Sequence, residues 1–158
     1  METERRLLEL ESRVRELEDL REIQELRFRY HIAVNERRLA DIAELFSEDA
    51  AVDFGPIGAA HGRAAIASFY RDVVGGSPFI LQFIHNHRIE LAGDTATGLS
   101  YLDARTLREG ESLMVAARFD DRYVRAGGSW CFRELRLTPF FVAPLSEGWA
   151  SAAQDQKG

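Results

Sequence analysis

The apolar residues at the start of the chain recur every three or four positions, which is the spacing of one face of an α-helix. The first of them form the a/d seam of two heptads: Leu7, Leu10, Val14 and Leu17. The apolar face then shifts to a second stripe: Leu20, Ile23, Leu26 and Tyr30. This pattern predicts one helix from about Glu4 to Glu36. Because two heptads are too few for an autonomous coiled coil, we expect the early part to pack on a second subunit or on its own domain.

Shorter segments follow this helix, some with the helical spacing of three or four residues and some with the alternation of a strand. The stretch RRLADIAELFSEDAAVDFG predicts a second helix and a strand, and IGAAHGRAAIASFYRDVV predicts a loop ending at Gly62 and a third helix. After Phe79 the period becomes two, which is typical of strands. Four such segments are separated by short turns containing glycine: FILQFIHNHRIEL, ATGLSYLDARTL, LMVAARFDDRYVR and WCFRELRLTPFFV. They predict an antiparallel meander.

Helices followed by a run of antiparallel strands indicate an α+β fold with the helices on one face of a curved sheet. A pocket is expected between the two layers, where a ligand would bind. We divide the chain into a helical extension at 1–16, one domain at 17–150 and a disordered tail at 151–158.

Composition excludes several classes of function. The formal net charge of −6 disfavours nucleic-acid binding. Cys131 is the only cysteine, so no intrachain disulfide or multi-cysteine metal site is possible. The start of the chain is charged, without a signal core, and no apolar run is long enough to cross a bilayer. We therefore expect a cytoplasmic protein with no membrane partner. Because the sequence has no HExxH, GxGxxG or P-loop motif, we expect no metal and no cofactor.

Several linked patterns carry a resemblance to a known family: LEDLREIQELRFRY, HGRAAIASFY, NHRIELAGDTATGLSYL and RFDDRYVRAGGSWCFRELRL. In this order the chain resembles the SnoaL-like branch of the nuclear transport factor 2-like superfamily, over roughly Leu17 to Ala150. The resemblance implies a cone-shaped α+β barrel of the cystatin-like type, with a curved antiparallel or mixed sheet wrapped around about three helices. Like the N-terminal seam, it also implies a homodimer or higher homo-oligomer. The aromatic residues of the chain suit a small hydrophobic ligand that is flat, aromatic or polycyclic.

Dehydratases, ketosteroid isomerases, polyketide cyclases and a dehydrochlorinase belong to this branch. Its dehydratase-like members resemble one another in a cavity tyrosine, a carboxylate just after it and a histidine on the first long strand. Tyr30 matches the tyrosine, whereas Asn35 and Gln82 stand where the carboxylate and the histidine are expected. A carboxamide can bind a ligand, but it cannot accept a proton at physiological pH.

Other residues are candidates to restore the missing base. On a helix, His31 lies between Tyr30 and Asn35 in angle, so it is the first candidate, and a histidine at the helix rim is the competing interpretation. Asp103 is the second, because it shares a strand face with Tyr101 and would act if it lies in the pocket. Arg118 is a candidate partner for a ligand. For both Asp103 and Arg118 the competing interpretation is an ion pair on the solvent side of the sheet.

Strand alternation assigns the remaining positions. Gln82, Ile84 and Asn86 share one face and are predicted to line the pocket, so His85 and His87 point outward unless a bulge reverses the phase. We read His61 as a loop residue and Asp121 as part of an ion pair on the solvent side. The stretch PFFVAPLSEGW is expected to cover the mouth of the pocket, with Trp149 in contact with the ligand.

Three functions are compatible with these residues. The first is a cofactor-free lyase or isomerase acting on a hydrophobic carbonyl or hydroxyl compound. In it Tyr30 is the electrophile, His31 or Asp103 is the base, and Asn35 and Gln82 orient the ligand. The second is a non-catalytic ligand-binding or accessory protein with the same pocket. The third is a structural dimerisation module.

Overall fold

The structure is a computed structural model that describes the backbone of residues 1–155 and the side chains through Ala152. Its helices are α1 (Glu2–Asn35), α2 (Leu39–Glu44), α3 (Arg63–Val73) and α4 (Ala150–Asp155). Its strands are β1 (Phe46–Asp53), β2 (Ala59–His61), β3 (Ile80–Ala92), β4 (Thr95–Arg108), β5 (Glu111–Ala126) and β6 (Ser129–Pro144). The three predicted helices and the four-strand meander are all present.

The strands form one six-stranded sheet in the order β2-β1-β6-β5-β4-β3. The meander β3–β6 is antiparallel throughout, and β1 joins it by pairing parallel with β6. The sheet is therefore mixed, and the α+β prediction is confirmed. Three positions in the meander show shifted register, and the one between His85 and Arg88 changes which side chains face the helices.

The core lies between α1 and the inner face of the sheet. Ile23, Leu26 and Tyr30 of the second apolar stripe are buried, as that stripe predicts. The ring of Tyr30 meets those of Phe119 and Phe132 edge-on, with centroids 6.1 and 5.8 Å apart. Aromatic edge-to-face contacts of this kind stabilise a core beyond the area that they bury. Packed rings thus occupy the space between the layers.

The first half of α1 does not contact the rest of the protein. All side chains of residues 1–18 are exposed. Contacts with the sheet begin at Asp19, which accepts hydrogen bonds from Trp130 Nε1 at 3.0 Å and Arg125 Nη2 at 2.6 Å. Packing of the early segment on its own domain, one of the two expected alternatives, is therefore wrong.

Two local differences separate the structure from the sequence expectations. Ala59–His61 pairs with β1 as a short strand, so His61 belongs to a strand and not to a loop. Helix α4 (Ala150–Asp155) overlaps the segment 151–158 that was expected to be disordered, and residues 156–158 lie outside the described residues. Among the described helices, none is long and apolar enough to cross a membrane.

Candidate functional site

His31 is held inside the domain by the side chain of Gln82. The imidazole is 5% exposed, and its Nδ1 lies 2.9 Å from Gln82 Oε1. Asn35, one turn further along α1, clamps the same strand residue: its Nδ2 donates to the carbonyl of Gln82 at 2.9 Å, and its Oδ1 accepts from the amide of Gln82 at 2.8 Å. The three residues singled out in the sequence therefore form one contiguous group between α1 and β3.

This contact determines which ring nitrogen of His31 carries the hydrogen. A carboxamide oxygen can only accept a hydrogen bond, so Nδ1 of His31 carries the hydrogen and Nε2 carries the lone pair. Burial, together with the nearby Arg27 charge, holds the pKa of His31 well below its usual 6.5. The ring is therefore neutral at physiological pH. Within the described chain, its buried Nε2 has no hydrogen-bond partner.

A β-bulge brings a second histidine into the interior. Asn86 has φ of +54°, a left-handed conformation that asparagine tolerates better than most residues, and the register shifts there. Asn86 is exposed at the bulge and His87 turns inward, where its Nε2 lies 3.1 Å from Tyr123 Oη. The bulge thus corrects two strand predictions, since Asn86 does not line the interior and His87 does.

His87 begins a chain of buried polar contacts. Tyr123 donates its hydroxyl hydrogen to Asp121 Oδ2 at 2.6 Å, so its oxygen accepts from His87 Nε2–H. Gly98 leaves the space for this arrangement, because a Cβ there would lie 2.7 Å from the Tyr123 ring and 3.2 Å from His87 Nε2. The chain continues to Arg27, whose Nη2 lies 3.2 Å from Asp121 Oδ1.

Arg27 and Asp121 form a buried ion pair, with side chains 1% and 0% exposed. The guanidinium also lies over the ring of Phe119, 3.9 Å from its centroid, as in a cation–π contact. Burial raises the pKa of the Asp121 carboxyl, and the Arg27 charge acts in the opposite direction. The prediction of a solvent-side ion pair at Asp121 is therefore wrong.

Tyr30 is fully buried beside this network. Its hydroxyl accepts a hydrogen bond of 3.0 Å from Tyr70 Oη, which leaves its own hydrogen free to be donated. Burial is the main cause that raises the pKa of Tyr30 to about 12. The phenol therefore stays protonated at neutral pH and can act as a hydrogen-bond donor.

Several buried polar atoms in this interior are unsatisfied. Over the described residues they are His31 Nε2, Arg27 Nε and Nη1, and Ser100 Oγ. Ser100 is paired in register with Phe119, the ring under Arg27, so these atoms belong to one region. Unpaired buried polar groups are costly and call for an explanation such as bound water or a ligand.

Four other predicted site residues lie away from this interior. Tyr101 is paired in register with Arg118 on the outer face of the sheet and stacks on Phe140. Asp103 is ion-paired with Arg105, and Arg118 with Asp120. Trp149 is 56% exposed and stacks on Phe141. Strand alternation explains the outward positions of Tyr101, Asp103 and Arg118, because the neighbouring residues 102 and 119 are buried.

Ile84 is partly buried against the core, on the same face as Gln82. A groove of about 530 Å³ opens on the outer face of the sheet and is lined mainly by charged residues such as Arg88, Asp120 and Arg136. None of the interior histidines, Tyr30 or Gln82 lines it. Among the described residues, no group of three or more His, Cys, Asp or Glu side chains is placed to hold a metal ion.

His87 makes stability depend on pH. Burial and the Arg27 charge lower its pKa from 6.5 to about 4. Between these values the unfolded chain binds more protons than the folded one, so stability falls as pH decreases from 6.5 towards 4. We expect a loss of about 2 kcal/mol from this residue, allowing for its partial exposure. Urea unfolding at pH 7 and pH 4.5 measures this loss of stability. The variant His87→Gln is expected to reduce the difference in unfolding free energy between the two pH values.

The matched control is His85→Gln, which changes an exposed imidazole two residues away on the same strand. It is expected to keep the pH dependence of the parent protein. Equal pH dependence in all three proteins would contradict the inward position of His87.

Comparisons with known proteins identify the family of this chain. An uncharacterized protein of Mycobacterium tuberculosis H37Rv is 29% identical over 121 residues, which cover 74% of this chain and 82% of that protein. An uncharacterized protein of Mycobacterium bovis matches with the same values.

Among solved structures, hexachlorocyclohexane dehydrochlorinase LinA-type3 from Novosphingobium barchaimii has a TM-score of 0.77 at 23% identity, over 83% of this chain and 92% of that one. An NTF2-like protein with a cystatin-like fold from Novosphingobium aromaticivorans has a TM-score of 0.68 at 26% identity, over 94% and 95%. The family model of the SnoaL-like domain matches residues 15–136, more than half of the chain, and the protein therefore belongs to the SnoaL-like domain family.

Proposed function

We propose that this protein is a cofactor-free lyase or isomerase that moves a proton on a small hydrophobic carbonyl or hydroxyl compound bound between α1 and the sheet. His31 is the proton acceptor and Tyr30 is the hydrogen-bond donor to the reacting oxygen. Asn35 and Gln82 hold these groups in place. In this proposal Asp103 has no catalytic role, because its carboxylate is ion-paired with Arg105.

The observation that carries the proposal is the state of His31. Its Nδ1–H is bound to Gln82, and its Nε2 lone pair is buried and unpaired. A neutral imidazole with one nitrogen anchored and the other free is the arrangement that general-base catalysis requires. Gln82 here anchors the ring in the way a carboxylate does in a catalytic dyad, but without its charge. The lowered pKa makes His31 a weak base, suited to a substrate with an acidic C–H.

Other unsatisfied atoms supply binding for an oxygen-containing substrate. The free donors of Arg27 and the hydroxyl of Ser100 can bind a carbonyl or hydroxyl oxygen as charge develops on it. Tyr30 remains protonated and can donate to the same oxygen. The rings of Phe119 and Phe132 around them favour an apolar ligand body.

Elimination chemistry is compatible with this scaffold. A dehydrochlorinase with a similar fold removes hydrogen and chloride, as its name states. Because packed rings fill the interior here, ligand entry requires displacement of side chains. Gln82 and Ile84, which are partly buried, mark the edge of the interior from which we expect a ligand to enter.

The second candidate function is ligand binding without chemistry. It is favoured by Asn35, because both polar atoms of its side chain are bound to the backbone of Gln82. A carboxylate at this position could stabilise a protonated histidine, whereas the uncharged carboxamide of Asn35 cannot. In this alternative the unsatisfied atoms of Arg27 and Ser100 serve only to orient a ligand.

Proton exchange distinguishes the two functions. Purified protein would be incubated in D2O with a panel of cyclic and aromatic ketones and β-hydroxy ketones, and deuterium incorporation and elimination products followed by NMR. We expect at least one compound to exchange its α-proton faster than in buffer. Saturable binding of a panel compound, without exchange or elimination in any of them, would support the binding function and contradict the catalytic one.

A further inference from the structure

The projecting segment of α1, residues 2–18, presents an apolar stripe to solvent. Its seam residues are between 49% and 65% exposed: Leu7, Leu10, Val14 and Leu17. At 1.5 Å per residue this segment extends about 25 Å beyond the point where α1 meets the sheet. The outer side of the segment has its own ion pairs, because Arg5 bonds both Glu2 and Glu9.

The charges beside the seam are sorted by sign. With Leu7 and Val14 at a positions, and Leu10 and Leu17 at d, the e positions are all acidic: Glu4, Glu11 and Glu18. The g positions of the projecting segment are both basic: Arg6 and Arg13. Residues at e and g flank the seam and decide the partner and its orientation. In the described structure, Arg6, Arg13, Glu11 and Glu18 form no ion pair.

We propose that this segment pairs with the same segment of a second copy of the chain as a parallel, in-register coiled coil. In that arrangement each g residue faces the e residue five positions later on the partner helix. Arg6 would then face Glu11, and Arg13 would face Glu18, twice each across the two-fold axis. In an antiparallel pair, g faces g and e faces e, so arginine would face arginine and glutamate would face glutamate.

The residues of the seam agree with a parallel dimer. Leucine occupies both d positions, and the β-branched Val14 occupies one of the a positions, a combination that favours two strands. Two heptads give a weak association by themselves. The segment is, however, continuous with a helix anchored on a folded domain, which fixes its helical conformation before the two copies meet. Pairing of this surface does not depend on the proposed function.

Disulfide trapping tests the pairing and its direction. Thr3 occupies the d position before Leu7, so parallel pairing brings the two copies of residue 3 together. In full-length protein carrying Cys131→Ser, we expect Thr3→Cys to form a linked dimer at least ten times faster than Glu9→Cys, on the outer side of the helix. Equal rates for the two variants would overturn the proposal.

Charge exchange then tests the partner. Both variants are made in the protein that carries Thr3→Cys and Cys131→Ser. Arg6→Glu with Arg13→Glu makes every charge beside the seam acidic. Glu11→Arg with Glu18→Arg makes nearly all of these charges basic. Each variant alone is expected to cross-link about tenfold more slowly, while an equimolar mixture gives mainly the mixed dimer. Unchanged cross-linking of the separate variants, or no preference for the mixed dimer, would overturn the charge-directed pairing.

Discussion

Asp121→Asn is expected to lower the free energy of unfolding by about 3–5 kcal/mol, because it leaves the charge of Arg27 buried without a partner. Both side chains of this pair are at most 1% exposed. The substitution preserves shape and keeps an oxygen for the Tyr123 hydroxyl, so the loss reports on the charge and the hydrogen bond that Asp121 offers to Arg27. Urea or guanidinium unfolding measures it, and the change is large relative to the stability of an ordinary domain.

A neighbouring carboxylate provides the control. Asp120 pairs with Arg118 on the outer face at 2.8 Å, with side chains 44% and 41% exposed, so Asp120→Asn is expected to cost at most about 1 kcal/mol. The double variant Arg27→Met with Asp121→Asn should lose less than the sum of its single variants, since neither charge is then left alone. Similar losses from Asp120→Asn and Asp121→Asn would contradict the buried ion pair.

His31→Gln is expected to reduce kcat about 10²–10⁴-fold on any compound that the exchange panel identifies, the usual contribution of a general base. Glutamine can keep a polar contact with Gln82, but it has no nitrogen that accepts a proton near neutral pH. Steady-state kinetics measures the effect, and circular dichroism shows whether the variant is folded.

His85→Gln is the matched control for this measurement, because His85 is exposed on β3, close in sequence to Gln82. It should keep kcat within about twofold of the parent protein. Gln82→Glu should shift the acidic limb of the pH–rate profile to higher pH, since a carboxylate on Nδ1 raises the pKa of His31. Full activity in His31→Gln would place the proton acceptor on another residue.

The elements of the fold follow from periodicity. The stripe through Ile23, Leu26 and Tyr30 predicts the buried face of α1, and the period of two after Phe79 predicts the meander. These signals are strong because each is repeated over many residues. β2 is missed because its three residues, two alanines and a histidine, are too few to show a period.

The site is only partly predictable, because its geometry depends on single residues. Helix angles and the family resemblance predict that four residues lie close together: Tyr30, His31, Asn35 and Gln82. The inward turn of His87 depends on one bulge, and the only local signal is an asparagine able to adopt positive φ. Arg27 does carry a signal, since it interrupts the apolar stripe between Ile23 and Tyr30. Its partner Asp121 lies 94 residues away, so no local pattern identifies it.

The protonation of His31 is the central claim, and ¹⁵N NMR of the histidine ring nitrogens tests it most directly. His31→Gln identifies the signals by their loss. We expect a neutral ring at pH 7 with the hydrogen on Nδ1 and a bare Nε2, unchanged when the pH is lowered to 6. A ring protonated on Nε2, or a doubly protonated ring at pH 7, would contradict the account.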